Sequence, residues 1–140
     1  FPILEINKML DKMINEKYDL ISGTRYKLGG KRLGGSLLGR IMSVLANYSF
    51  KLITNFPLSD ATTGIKMIKK NCLNQLNLTS NPIGWSCAFE ISIRAYLQNY
   101  KIGEVPLKSV DRLFGGISTF KPGSWMVEYL KLYFATFSRV

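Results

Sequence analysis

The chain contains no histidine, which removes the commonest general base, the usual Ser-His-Asp and Cys-His nucleophile systems, and most zinc sites. Cysteine is almost as scarce. Cys72 and Cys87 are the two present, without metal-type spacing, so buried or inert thiols in a reduced compartment are expected. Acids are few, 9 against 19 Lys and Arg, and none lies between Asp19 and Asp60. No stretch approaches the roughly 20 uninterrupted apolar residues of a membrane span. No charged start leads into an apolar run with a small-residue cleavage site. The sequence opens on Phe1-Pro2-Ile3-Leu4 without an initiating Met. It reads as a soluble or peripheral piece of something larger, whose chemistry must run on carboxylates, cations and a bound phosphate.

What is present is a chain of 140 residues, 46% apolar, enough for one domain with a core and too apolar for a disordered one. The formal charge is +10, and Arg25, Lys27, Lys31, Arg32, Arg40 and Lys51 all fall in the acid-free stretch. That excess suits a polyanionic partner, whether nucleic acid, anionic membrane or phosphorylated substrate, without choosing among them. By composition alone, a solvated basic face is the simpler reading.

Periodicity predicts an amphipathic helix over 2–16, with Ile3, Ile6, Met9, Leu10, Met13 and Ile14 on one side and Pro2 in its first turn. A short buried strand, Tyr18 to Ser22, ends at Gly23. Gly29, Gly30, Gly34 and Gly35 punctuate a basic loop. A long helix follows over 36–54, with Leu38, Ile41, Met42, Leu45, Tyr48, Leu52 and Ile53 at helical spacing. A strand over 65–68 and a brief helix over 72–77, capped by Asn71, come next. After a loop at 80–84, a helix over 85–97 packs Phe89, Ile93, Tyr96 and Leu97 inward. Residues 102–110 alternate as one strand, although Pro106 suits an edge or a bulge. An aromatic-rich helix spans 125–137. Helices alternating with strands point to an α/β sheet.

Three clusters carry candidate chemistry. Ser22-Gly23-Thr24-Arg25-Tyr26 places an Arg at the carboxyl end of a strand, where ligands of open α/β sheets collect. Its planar fork suits a phosphate, yet a strand-end Arg is more often a salt-bridge partner. The glycine-rich stretch after it matches neither G-x-G-x-x-G nor a P-loop. Asp60-Ala61-Thr62-Thr63-Gly64 is either a turn with a capping acid or the site of a catalytic carboxylate. Glu104-Val105-Pro106, then Asp111-Arg112 and Gly115-Gly116-Ile117-Ser118, delivers a second strand-end Arg into a glycine loop.

In this order the clusters resemble the second half of the family-two glycosyltransferases, specifically the polyprenyl-phosphate mannosyl- and glucosyltransferases of the dolichol-phosphate mannose synthase type. The family's Gly-Ser-Arg-Tyr is matched by Gly23-Thr24-Arg25-Tyr26, and its glycine loop and helical Arg by Gly29-Gly30 and Arg40. Its Asp-x-x-Ser-Gly-Phe-Arg is matched by Asp60-Ala61-Thr62-Thr63-Gly64-Ile65-Lys66, and an inward helical Glu by Glu90. Glu-Val-Pro followed by Arg-x-x-Gly-x-Ser-Lys is matched by Glu104-Val105-Pro106 and Arg112 to Ser118. Three departures stand out. The Arg-to-Ser spacing is one residue longer, Thr119 replaces the usual Lys, and the family's Asp-x-Asp is absent.

The resemblance implies a partial GT-A (Rossmann-like) α/β domain over 1–121 that lacks its N-terminal nucleotide-binding half. The amphipathic helix over 122–140 is either a core or partner-packing helix or a membrane-interfacial one, and a lipid acceptor favours the second. It implies an inverting transfer of a hexose from a nucleotide-sugar donor to a polyprenyl phosphate at the cytoplasmic face of a membrane. Arg25, Arg40 and Arg112 would bind the acceptor phosphate and Asp60 would be the catalytic carboxylate, as a base or an orienting group. Tyr26, Glu90, Ser118 and Lys121 would support them. A divalent metal, Mg or Mn, is expected in the whole enzyme, with its Asp-x-Asp ligands upstream of Phe1. The nucleophile is a phosphate oxygen largely ionised near neutral pH, since its second pKa is roughly 6, so the lack of His is no obstacle. A basic nucleic-acid module or a non-catalytic membrane-surface module are the competing readings, and no nucleic-acid motif favours the first.

Overall fold

A computed structural model describes residues 3–35, 37–79, 86–110, 127 and 130–134. At its centre is β1 (Leu20–Thr24), buried at all five residues. β4 (Ile102–Pro106) runs parallel to it, from Leu20 opposite Ile102 to Thr24 opposite Pro106. β3 (Lys66–Ile68) pairs antiparallel on the other side, giving the order β3-β1-β4. A parallel pair requires a crossover, and the helices between β1 and β4 supply it. This mixed α/β arrangement is compatible with part of a Rossmann-like fold.

β1 extends two residues beyond the predicted strand, so that Arg25 leaves directly from its carboxyl end. The predicted strand over 102–110 is two strands. Leu107 donates its N–H to Thr24 at 2.9 Å. The chain then changes partner, and β5 (Lys108–Val110) pairs parallel with β2 (Lys31–Leu33), a strand inside the basic loop that periodicity missed. Pro106 ends β4 on the edge of the larger sheet, where its missing N–H is tolerated.

α1 (Ile3–Asn15) covers this sheet through Met9, which packs with Ile21 and Val105. α2 (Leu37–Thr54) and α4 (Ser86–Leu97) enclose an aromatic core of Phe50, Phe56 and Phe89, with Phe50 meeting Phe56, Phe89 and Tyr133 edge-on or tilted at 5.1–5.2 Å. The inward residues of α4 are as periodicity predicts. The long helices differ from expectation in what they bury. Ile3, Ile6, Leu10 and Ile14 of α1 are exposed, as are Ile41, Met42, Leu45, Tyr48, Leu52 and Ile53 of α2. The face of α2 that turns inward carries Asn47, Phe50 and Thr54 instead.

α3 (Lys70–Gln75) starts earlier than predicted, so Asn71 lies inside it, and the N-cap Lys69 makes no side-chain cap. Helix exits follow one pattern. Lys17, Asn55, Asn77 and Asn99 adopt positive φ just beyond α1, α2, α3 and α4. This left-handed residue lets the last helical carbonyls find partners, and Asn tolerates it better than most side chains. Residues 127 and 130–134 are helical. The predicted loop at 80–84 lies outside the described residues, as does all of 111–126.

A candidate anion-handling site at the carboxyl ends of the central strands

Asp60 belongs to the irregular segment between α2 and β3, and this segment folds back over the end of β1. Ser22 Oγ donates to the Asp60 carbonyl at 3.4 Å, and Ala61 N–H donates to Asn47 Oδ1 at 2.8 Å. These tie the turn to the strand beneath and to α2 beside it. The Asp60 carboxylate is fully buried. Its Oδ2 accepts Arg25 Nε at 2.7 Å and Arg25 N–H at 3.2 Å. Its Oδ1 accepts Arg25 Nη2 at 2.9 Å and Thr62 Oγ1 at 3.1 Å. The pair is therefore bidentate, the geometry in which guanidinium and carboxylate bind best.

Two further charged side chains brace the same turn. Glu104, on β4, accepts Ser59 N–H at 2.8 Å and Ser59 Oγ at 2.9 Å, and Lys27 Nζ lies 3.5 Å from its other oxygen. Ser59 Oγ also meets Thr24 Oγ1 at 2.7 Å. From β3, Lys66 Nζ donates to Ser22 Oγ at 3.0 Å and to the Ala61 carbonyl at 3.2 Å. Lys66 keeps some surface exposed, whereas its amino group is enclosed by protein, and that environment governs its protonation. Burial pushes its pKa from 10.5 down to about 7, with Asp60 opposing and Arg25 reinforcing the change.

Gly30 holds the basic loop against this cluster. A Cβ there would meet the Thr24 carbonyl at 2.6 Å and the Lys27 carbonyl at 3.0 Å. Both are backbone atoms that cannot give way.

The predicted site residues are thus only partly brought together. Arg25 and Asp60 are in direct contact. Arg25 stacks at 5.1 Å on Tyr26, whose hydroxyl donates to Ser43 on α2 at 2.8 Å. Arg40 is exposed one turn before Ser43, on the same side of α2. Glu90 is fully buried in α4, where it accepts from Thr79 N–H, Thr79 Oγ1 and Arg94 Nε. Arg112, Ser118 and Lys121 lie outside the described residues.

Sequence reasoning passed over Asn47 and Ser59, and it placed Lys66 and Glu104 in matched motifs without giving either a role. Signals for two of them existed. Asn47 is a polar residue at i−3 from Phe50 on an apolar helix, and Glu104 is one of only 9 acids. A shallow recess lined by Pro57, Tyr96, Tyr100 and Lys101 lies at the amino end of β4, opposite the Asp60 cluster. The chemistry of the charged groups, rather than concavity, marks the candidate site. Among the described residues, no group of three or more His, Cys, Asp or Glu is placed to hold a metal ion.

No family model matches the chain. It is similar to the dolichyl-phosphate hexose transferase of Haloferax volcanii, a glycosyltransferase by name, with 28% identity over 118 residues. The match takes in 80% of this chain and 46% of the relative, so the chain spans about half of that protein's length.

Proposed function

We propose that the chain is the acceptor-side part of an inverting hexosyltransferase, whose whole form moves a hexose from a nucleotide sugar to a polyprenyl phosphate. The observation that carries this reading is the likeness to a dolichyl-phosphate hexose transferase along 80% of the chain. The local chemistry supports it. An ionised phosphate oxygen needs positioning beside an anionic donor more than it needs deprotonation, and arginines supply that by charge-assisted contacts.

In this reading a phosphate oxygen attacks the anomeric carbon as the bond to the nucleotide diphosphate breaks, inverting that carbon. Asp60 acts as an orienting group. Both of its oxygens are engaged by Arg25 and Thr62, so it fixes the guanidinium at the strand end rather than waiting for a proton. Arg40, exposed beside the Tyr26–Ser43 contact, is the described cation offered to the acceptor phosphate, and Arg112 is assigned the same role on the resemblance alone.

A divalent metal would neutralise the leaving diphosphate. The described residues do not fit one, because Asp60 is committed to Arg25 and no acidic cluster accompanies it. Its ligands, like the donor site, are assigned to the part of the relative's length that this chain does not span.

A membrane surface is part of the proposal. No described helix is long and apolar enough to cross a membrane. α2 nevertheless exposes Leu37, Ile41, Leu45, Tyr48 and Leu52 at helical spacing, and Val127, Leu130 and Phe134 are exposed on the segment whose Tyr133 packs on Phe50. Apolar stripes of this kind suit a helix lying at headgroup depth. We place the protein at the cytoplasmic face, peripheral or anchored, with 122–140 as interfacial segment.

The test is transfer of labelled hexose from GDP-mannose or UDP-glucose to solvent-extractable prenyl phosphate by membranes containing the whole protein. Labelled lipid is expected, reduced at least roughly tenfold by Arg40→Ala. Absence of labelled lipid with every nucleotide sugar tried would reject the reading. Residues 1–140 alone are expected to be silent, and product from them would overturn the placement of the donor site outside this chain.

A further inference from the structure

The ribbon formed by β2 and β5 places two lysines side by side. Lys31 stands opposite Lys108 and Leu33 opposite Val110, and adjacent strands lie about 4.8 Å apart. Both strands show the same pattern of exposed, half-buried, exposed. By strand alternation, Lys31, Leu33, Lys108 and Val110 therefore share the outer face, with Arg32 and Ser109 turned the other way. Like charges directly opposite each other oppose strand pairing. A two-stranded ribbon has little margin to absorb that.

Among the described residues, neither Lys31 nor Lys108 has a hydrogen bond or ion pair through its side chain. The nearest acid along β4 is Glu104, which already holds Ser59 and faces Lys27. Beside the lysine rung, Leu33 and Val110 remain 38% and 52% exposed. The ribbon is anchored to the site, because Lys31 N–H donates to the Leu107 carbonyl at 3.0 Å and Leu107 N–H donates to Thr24. A cationic rung next to an apolar rung thus continues from the strand ends that carry Arg25. Arg25 itself is bound by Asp60.

We propose that the Lys31–Lys108 rung and the adjoining Leu33–Val110 rung form a seat for a phosphate that carries a hydrocarbon chain. The two ammonium groups straddle the oxyanion, and the apolar rung lies along the first carbons of the chain. An anion between the lysines converts their repulsion into two charge-assisted contacts. The proposal deepens the function proposed above and rests on it for the lipid character of the ligand.

The test is titration of the 140-residue chain with a short-chain prenyl monophosphate, inorganic phosphate, a nucleoside diphosphate and the parent prenyl alcohol, followed by amide chemical shifts. The prenyl phosphate is expected to bind with shifts centred on residues 31–33 and 108–110, and to bind tighter than the other three. Lys31→Gln with Lys108→Gln should weaken it by roughly tenfold or more. Lys8→Gln with Lys70→Gln, the same charge change on remote exposed lysines, should leave it unchanged. Lys31→Arg with Lys108→Arg should retain it, which guards against misfolding of the neutral variant.

Equal weakening by the ribbon and remote variants would overturn the seat, since bulk charge would then suffice. Inorganic phosphate or nucleoside diphosphate binding the ribbon as tightly as prenyl phosphate would overturn the hydrocarbon-bearing ligand. Unchanged binding in the ribbon variant would reject the ribbon and leave the acceptor reading standing. No binding of prenyl phosphate by the parent chain would count against both.

Discussion

Asp60 and Arg25 depend on each other in a way that governs how either can be tested. The carboxylate is fully buried and the Arg25 side chain is 14% exposed. Removing one partner leaves the other charged and largely desolvated, at a cost of about 3–5 kcal/mol for a buried pair. The residual exposure of Arg25 favours the lower end. Asp60→Ala is therefore expected to lower unfolding free energy by about 3 kcal/mol in chemical denaturation, and Arg25→Ala by a similar amount. The double variant should lose clearly less than the sum, and strict additivity would show that the two do not act as a pair. Loss of activity in Arg25→Ala alone thus says little about acceptor binding. Arg40, exposed on α2, is the cleaner probe.

Lys66 adds a pH dependence whose sign follows from its environment. Its folded pKa, about 7, lies below its ordinary value of 10.5. The unfolded chain therefore binds more protons between those values, and stability rises with pH across that window. The penalty for the buried charge is fully present below pH 7 and has disappeared above about 10.5. Lys66→Met is expected to flatten the stability profile between pH 7 and 10 relative to the parent chain. An equally steep profile in the variant would locate the titration elsewhere.

At the scale of elements, helix exits and strand breaks decide where the site residues point. α2, α3 and α4 each leave through an Asn at positive φ, whereas α1 leaves through Lys17. A left-handed residue with a Cβ costs roughly 1–2 kcal/mol. Glycine avoids that cost but loses roughly 0.5–1 kcal/mol in chain entropy. The first effect is the larger, so Lys17→Gly should stabilise by about 0.5 kcal/mol, read as a small rise in Tm. A fall in Tm would mean that the Lys17 side chain contributes an interaction worth more than its strain.

The existence and extent of α1, α2 and α4 were legible because apolar periodicity is local, whereas the short α3 was misplaced by two residues. The break at Leu107 was not, since it depends on an exchange of partners from β1 to β2 across more than 70 residues of sequence. Nor was β2, whose three residues carry no strand pattern and exist only because β5 lies beside them.

Taken as a whole molecule, the chain exposes much of what its sequence suggests should be core. Apolar spacing identified α1 and α2 as amphipathic, yet Ile3, Leu10, Leu45 and Leu52 face outward. Periodicity locates an apolar face without saying what covers it. The buried apolar residues fall into separate clusters, with Phe50, Phe56 and Phe89 in one, Met9, Ile21 and Val105 in another, and Leu20, Leu76 and Ala95 in a third. The sequence by itself determined the alternation of helices and strands, the strand-end placement of Arg25, the excess of cations and the absence of imidazole chemistry, because these are local or compositional. Tertiary structure alone decided that Asp60 closes on Arg25, that Lys66 and Glu104 brace the same turn, and that Lys31 meets Lys108. Apart from the local bond of Lys66 to the Ala61 carbonyl, these contacts join residues 35 or more positions apart, and no spacing rule reaches that far. The reason is physical: the short range of hydrogen bonds and ion pairs makes such contacts a property of the folded chain, realised only once the sheet brings its strand ends together.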